Sequence, residues 1–99
     1  MFSLDYLTLA SYDVEEIYDW YEKKRFGLGD EFLEDLDSRL IEISNNPFQC
    51  EEKFRGVRKA FTSKFPYVIY YKVYPNKLII VHAVLHMSRH SIQWKSRVK

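Results

Sequence analysis

No carboxylate lies beyond Glu52 in this 99-residue chain. All 14 acidic residues fall at or before that position, where only Lys23, Lys24, Arg25 and Arg39 oppose them, so four cations against 14 acids leave residues 1–52 at −10. Residues 53–99 carry 11 lysines and arginines, three histidines and no acid. A formal net charge of +1 thus conceals a bipolar chain. An acid-free half suits a polyanion or an acidic protein partner. The competing reading, that the two halves pair across the fold, is the weaker one, because surface ion pairs contribute only ~0–1 kcal/mol each.

Other absences exclude whole classes. The one cysteine, Cys50, rules out an internal disulfide and offers no thiolate metal cluster. No apolar run approaches the ~20 residues that span a bilayer, and the N-terminus lacks a basic segment followed by a long apolar one, so a cytoplasmic protein without a membrane partner is expected. There is no glycine-rich phosphate loop, no Gly-x-Gly-x-x-Gly and no Ser-His-Asp pattern, which leaves nucleotide-binding and serine-hydrolase readings without support. His82, His86 and His90 are spaced by four, but the first two fall in a strand pattern, where they point the same way about 13 Å apart. Neither a metal nor another cofactor is expected.

What is present organises around residues 65–86. Phe65–Tyr74 and Leu78–His86 are rich in β-branched and aromatic residues, lack clean alternation and flank Pro75-Asn76-Lys77, the pattern of a hairpin of central strands covered on both faces. Upstream, residues 2–9 read as a first strand. A helix follows, N-capped at Ser11 or Asp13, with Asp13 and Glu16 at capping-box spacing and Val14, Ile17, Tyr18 and Tyr21 as its apolar stripe. Gly27-Leu28-Gly29 turns the chain into a second helix, Asp30 to Ser44, burying Phe32, Leu33, Leu36, Leu40 and Ile43 and turning Asp30, Glu31, Glu34, Asp35, Asp37 and Glu42 to water. Val57–Thr62 reads as a further strand. The expectation is one α+β domain over residues 1–99, β-α-α-β-β-β, a small antiparallel sheet packed against an N-terminal helical hairpin.

Arg55, Arg58, Lys59, Lys64, His86, Arg89, His90, Lys95 and Arg97 then cluster on or beside the sheet. Such a cluster can hold phosphates, and a histidine among arginines can act as general acid while arginine stabilises a pentavalent phosphorane, a metal-free ribonuclease chemistry. From the residues alone, a basic surface that only grips RNA, DNA or an acidic protein is the favoured reading.

Several segments together resemble the RelE/ParE toxins of type II toxin–antitoxin systems. They are residues 13–21, Gly27-Leu28-Gly29-Asp30-Glu31-Phe32, Asn46-Pro47, Val57-Arg58-Lys59, Phe65–Tyr71 and Val84–Arg89 followed by Trp94 and Arg97. The resemblance implies the fold derived above and a bacterial toxin, of the kind that stabilises plasmids, silenced by a cognate antitoxin. Its Phe-Pro-Tyr…Tyr-Tyr strand and His86…Arg89 ending are closer to the ParE-like side, implying inhibition of DNA gyrase. The alternatives are a RelE-like, ribosome-dependent mRNA endonuclease and an inactive relic that only binds antitoxin. On the nuclease alternative His86, Arg58 and Arg89 would be catalytic, with Glu51 or Glu52 as a possible base. Otherwise Arg55, Arg58, Lys59, Lys64, Arg89, Trp94 and Arg97 would bind the target or the antitoxin. Trp94 is expected to anchor the tail, holding Arg89 and Arg97 near Arg58, at little cost in stability if the tail is removed.

Overall fold

The computed structural model describes residues 1–89 and 92–97, excluding the side chains of Ile92 and Gln93. In chain order the elements are β1 (Ser3–Tyr6), α1 (Thr8–Lys24), α2 (Leu28–Asn45), β2 (Glu52–Phe54), β3 (Val57–Phe61), β4 (Tyr67–Tyr74), β5 (Leu78–His86) and a single helical turn, α3 (Ile92–Lys95). The strands form one sheet ordered β1-β5-β4-β3-β2. It is mixed rather than antiparallel: β1 runs parallel to β5, pairing Ser3 with Leu78 through Tyr6 with Val81, because the helical hairpin carries the chain from the far edge over one face before the remaining strands are laid down. The extra strand β2 is a three-residue edge whose Glu52 and Lys53 give no strand-like pattern in sequence.

Both helices lie on one face. Ala10 of α1 and Phe32, Leu36, Leu40 and Ile43 of α2 are buried against Ala60, Tyr67, Ile69, Tyr71, Ile79, Val81 and Val84, with Val14, Ile17 and Tyr21 packed beside them. The other face buries Val57, Val68, Tyr70, Ala83 and Leu85 under Trp94. The hairpin strands are therefore central and covered on both sides, as their composition requires.

Helix α1 begins earlier than the capping-box spacing implies. Leu7 stands at its N-cap without a side-chain bond, and Asp13 lies inside the helix with a different task described below. At the helix–helix turn Glu22 supplies the missing cap, its carboxylate accepting the Gly29 N–H at 2.9 Å and the Gly27 N–H at 3.1 Å. Gly27 adopts φ +88°, and a Cβ on Gly29 would stand 2.8 Å from the Tyr18 carbonyl oxygen, so the glycines permit both the turn and the close helix crossing.

Asp35, on the apparently water-facing stripe of α2, is buried. Its carboxylate accepts three backbone N–H groups, from Ser63 (3.1 Å), Lys64 (2.8 Å) and Phe65 (2.8 Å), and so fixes the turn between β3 and β4. Asp35→Ala should cost about 2–3 kcal/mol by leaving these donors without their charged acceptor. Urea unfolding followed by circular dichroism checks this, and an unchanged midpoint would mean that water satisfies the turn equally well.

Candidate functional site

The sheet alternation decides which expected residues meet. Odd-numbered residues of β4 face the helices and even-numbered ones the opposite side. In β5 the phase changes midway, because the pairing steps from Tyr70–Ala83 to Tyr71–Val81 and leaves His82 as an extra, bulged residue. His82 and His86 consequently face opposite sides of the sheet, contrary to the expectation from uninterrupted strand geometry. His82 is 3% exposed, with Nε2 3.0 Å from the Tyr74 hydroxyl and its ring stacked on the Tyr74 ring. Burial first, then the positive charges of Lys72 and Arg97, push its pKa below the ordinary histidine value and hold it neutral. His86 is half-buried on the helix side, its ring edge-on to Tyr67 at 5.4 Å. His90 lies outside the described residues.

His86, Ser88 and Arg89 line one end of a groove of about 640 Å³ between α1 and the end of β5, floored by Tyr21, Tyr67 and Val84 and walled by Glu16, Ile17 and Trp20. The Ser88 N–H donates to His86 Nδ1 at 3.1 Å. A backbone N–H can only donate, so this contact requires an unprotonated Nδ1 and leaves the ring proton on Nε2. The Arg89 N–H closes the turn onto the His86 carbonyl at 2.9 Å. Burial raises the Tyr67 pKa above the ordinary phenol value, with Tyr21 reinforcing the shift and Arg89 opposing it, so the groove floor stays a neutral phenol.

Arg58 is not part of this groove. It projects on the helix side of β3, donating to the Cys50 carbonyl at 2.6 Å and lying 5.2 Å over the Phe48 ring, where it pins the loop after α2. Arg58 is in register with Tyr71, whereas His86 is in register with Tyr67, so four residues of strand and two strand spacings separate them by about 16 Å. Glu52 pairs with Arg58 in the ladder but its carboxylate accepts the Gly56 N–H, and Glu51 pairs with Lys53. The arrangement brings His86 and Arg89 together and leaves Arg58, Glu51 and Glu52 elsewhere.

Arg97 is likewise displaced from the expected surface. It forms an ion pair with Asp13, Nη1 to Oδ2 at 2.6 Å and Nη2 to Oδ1 at 3.2 Å, and Nη1 also donates to the His82 carbonyl at 3.0 Å. Asp13 in turn accepts the Val84 N–H at 3.1 Å. Since β1 covers only Leu78–Val81, these two side chains take the place of a neighbouring strand along the next part of the β5 edge. The tail thus crosses from the Trp94 side of the sheet to α1; Trp94 lies on the opposite sheet face from Arg58, and Arg97 lies at the β5 edge against Asp13.

The remaining cations gather on the sheet face opposite the helices. Arg55 and Lys95 flank the Phe54 ring at 5.1 and 5.2 Å, Lys59 lies 5.4 Å from the Phe61 ring and Lys72 5.4 Å from the Tyr74 ring. Sequence reasoning missed Lys72 as a member of this face, although its even-numbered place on β4 beside Tyr70 and Tyr74 carries the signal. Lys64 is exposed at the β3–β4 turn. Among the described residues, no group of three His, Cys, Asp or Glu side chains could hold a metal ion, and no helix is long and apolar enough to cross a membrane.

A family model described as the ParE toxin of the type II toxin–antitoxin system parDE matches residues 4–90. Among solved structures, the chain is similar to the chromosomal ParDE toxin–antitoxin system from P. aeruginosa, at 20% identity and a TM-score of 0.76 over 89% of this chain and 98% of that one. It is similar to the intact RelBE toxin–antitoxin complex of E. coli at 19% identity and a TM-score of 0.68, over 90% of this chain and 100% of that one. The isolated E. coli RelE toxin gives 18% identity and a TM-score of 0.67 over 97% and 95%. At such identities the structural likeness speaks to the fold. No curated protein matches the sequence.

Proposed function

Because this chain belongs to the ParE toxin family of type II toxin–antitoxin systems, we propose that it arrests growth by inhibiting DNA gyrase rather than by cutting RNA, and that a cognate antitoxin silences it. The observation that carries this reading is the dispersal of the candidate nuclease residues. Arg58 is committed to the Cys50 carbonyl, its backbone about 16 Å from that of His86, and Glu51 and Glu52 are engaged elsewhere, so His86 and Arg89 share the groove without the second arginine or the expected base. The basic sheet face, where Asp5 at the β1 edge is outnumbered by Arg55, Lys59, Lys72 and Lys95, and the Arg89 end of the groove are then binding surfaces, suited to an acidic target or to an acidic, apolar antitoxin segment that folds on binding.

A second reading, ribosome-dependent mRNA cleavage, draws on His86 and Arg89 sharing one groove. Induction in a bacterium lacking antitoxin, with DNA and protein synthesis followed separately, distinguishes the two. DNA synthesis is expected to stop first. An early stop in protein synthesis would reverse the order of the readings, and unhindered growth would favour an inactive relic.

In the same assay Arg89→Ala should weaken growth inhibition while changing unfolding free energy by no more than about 0.5 kcal/mol, because Arg89 is exposed. Full toxicity of Arg89→Ala would remove this end of the groove from the working surface.

A further inference from the structure

The α2 acids and most of the sheet cations occupy opposite faces of the folded molecule, with Asp5 of β1 the exception on the basic side. On α2, Asp30, Glu34 and Asp37 are exposed at helical spacing, and the exposed Ile41 continues the stripe. The one cation within α2, Arg39, is turned aside, donating to the Phe61 carbonyl at 3.0 Å and to Cys50 Sγ at 3.6 Å. The reverse face of the sheet carries Arg55, Lys59, Lys72 and Lys95, with Phe61 45% exposed among them. No acid follows Glu52 in sequence, so β3, β4 and β5 contribute none to that face.

The molecule is 21 Å across in its thinnest dimension, whereas charges are screened over about 8 Å at physiological ionic strength. Neither face neutralises the other within one molecule, and on the sheet face Asp5 offsets only one of the four cations Arg55, Lys59, Lys72 and Lys95, so each face presents a net field to its surroundings. The charges are also matched in scale. Asp30 and Asp37 are seven residues apart on a helix, about 10 Å. Lys59 and Lys72, two residues and one strand spacing apart in the ladder, have α-carbons about 8 Å apart. Ile41 on one face and Phe61 on the other supply an apolar contact beside the charges.

We propose that the basic sheet face of one molecule docks on the acidic outer stripe of α2 of a second copy of this chain. The contact is heterologous, using a different surface on each partner, so it leaves one face of each kind unsatisfied at the ends and propagates as a chain of copies. A net charge of only +1 offers no long-range repulsion against it. An acidic protein segment on the basic face would terminate such chains, which makes self-association and capture of an acidic partner mutually exclusive.

Sedimentation of the full chain tests the idea in low and high salt. The weight-average mass should exceed that of the monomer at about 10 mM salt, where the screening length reaches about 30 Å, and fall to the monomer near 0.5 M. Two variants then fix the geometry. Lys59→Glu with Lys72→Glu removes the basic face, and Glu34→Lys with Asp37→Lys removes the acidic one. All four positions lie on the surface, and circular dichroism verifies the fold of each variant. Each variant alone is expected to associate at least about tenfold more weakly than the parent. Mixing the basic-face variant with the acidic-face variant sets up two kinds of contact. The intact α2 stripe of the former meets the intact sheet face of the latter, and the charge-reversed sheet face of the former meets the charge-reversed stripe of the latter, so the mixture regains the association that each variant alone has lost. A monomeric parent at low salt overturns the proposal. So does association that survives either double reversal, or a mixture of the two variants that stays monomeric.

Discussion

Trp94→Ala should lower the unfolding free energy by about 3–5 kcal/mol, a large share of what a domain of this size possesses. The ring is 2% exposed, stacks on Tyr70 at 4.6 Å and meets Phe54 edge-on at 5.7 Å. Removing it exposes Val57, Val68, Ala83 and Leu85, the second core of the protein, and unseats the chain that carries Arg97 to Asp13. The sequence-based expectation that losing the tail costs only modest stability is at odds with this packing. A single indole closes the apolar centre of that sheet face, because among the described residues no helix longer than the α3 turn lies over it. Urea unfolding monitored by far-ultraviolet circular dichroism measures the loss, and a change below about 1 kcal/mol would mean that the sheet face is stable when open to water.

The parts legible in sequence are those in which one residue does one thing. The apolar stripe of α2 reads directly as Phe32, Leu36, Leu40 and Ile43 because a helix buries one side, and the hairpin of β4 and β5 reads directly because both strands are buried on both faces. Trp94 as an anchor follows from its apolar area alone. What escapes is long-range. Asp13 has the chemistry of a helix cap, yet its acceptor oxygens serve Val84 and Arg97, 71 and 84 residues away in sequence. Asp35 looks like one more carboxylate on a wet face until the β3–β4 turn is laid over it. The bulge at His82 turns every later β5 side chain over by one face, and nothing in Val81-His82-Ala83 announces it. The same limit governs the candidate site. His86 and Arg89 are neighbours in sequence and stay neighbours in space, whereas adding Arg58 needed a sheet register that composition does not encode.

Asp13 and Arg97 form the second place where a large loss is expected. Their side chains are 15% and 14% exposed, so the pair is shielded from salt and sits where the edge of β5 would otherwise present bare backbone. Asp13→Ala removes at once the counter-charge of Arg97 and the acceptor of the Val84 N–H, and should cost about 3–5 kcal/mol, the usual penalty for leaving a buried charge without its partner. Arg97→Met should cost less. It keeps apolar bulk over the edge and strands an aspartate that still accepts one backbone N–H. If the pair acts as a unit, the double variant Asp13→Leu, Arg97→Met should be more stable than the sum of the two single losses predicts, by a coupling of about 1–3 kcal/mol, because no charge is then left unpaired. Strictly additive losses would mean that each residue contributes through separate contacts. The growth assay on the same variants separates stability from function: an Arg97→Met protein that stays folded should remain toxic, since Arg97 faces Asp13 and the His82 carbonyl rather than a partner. Loss of toxicity in a folded Arg97→Met protein would instead place the tail on the working surface.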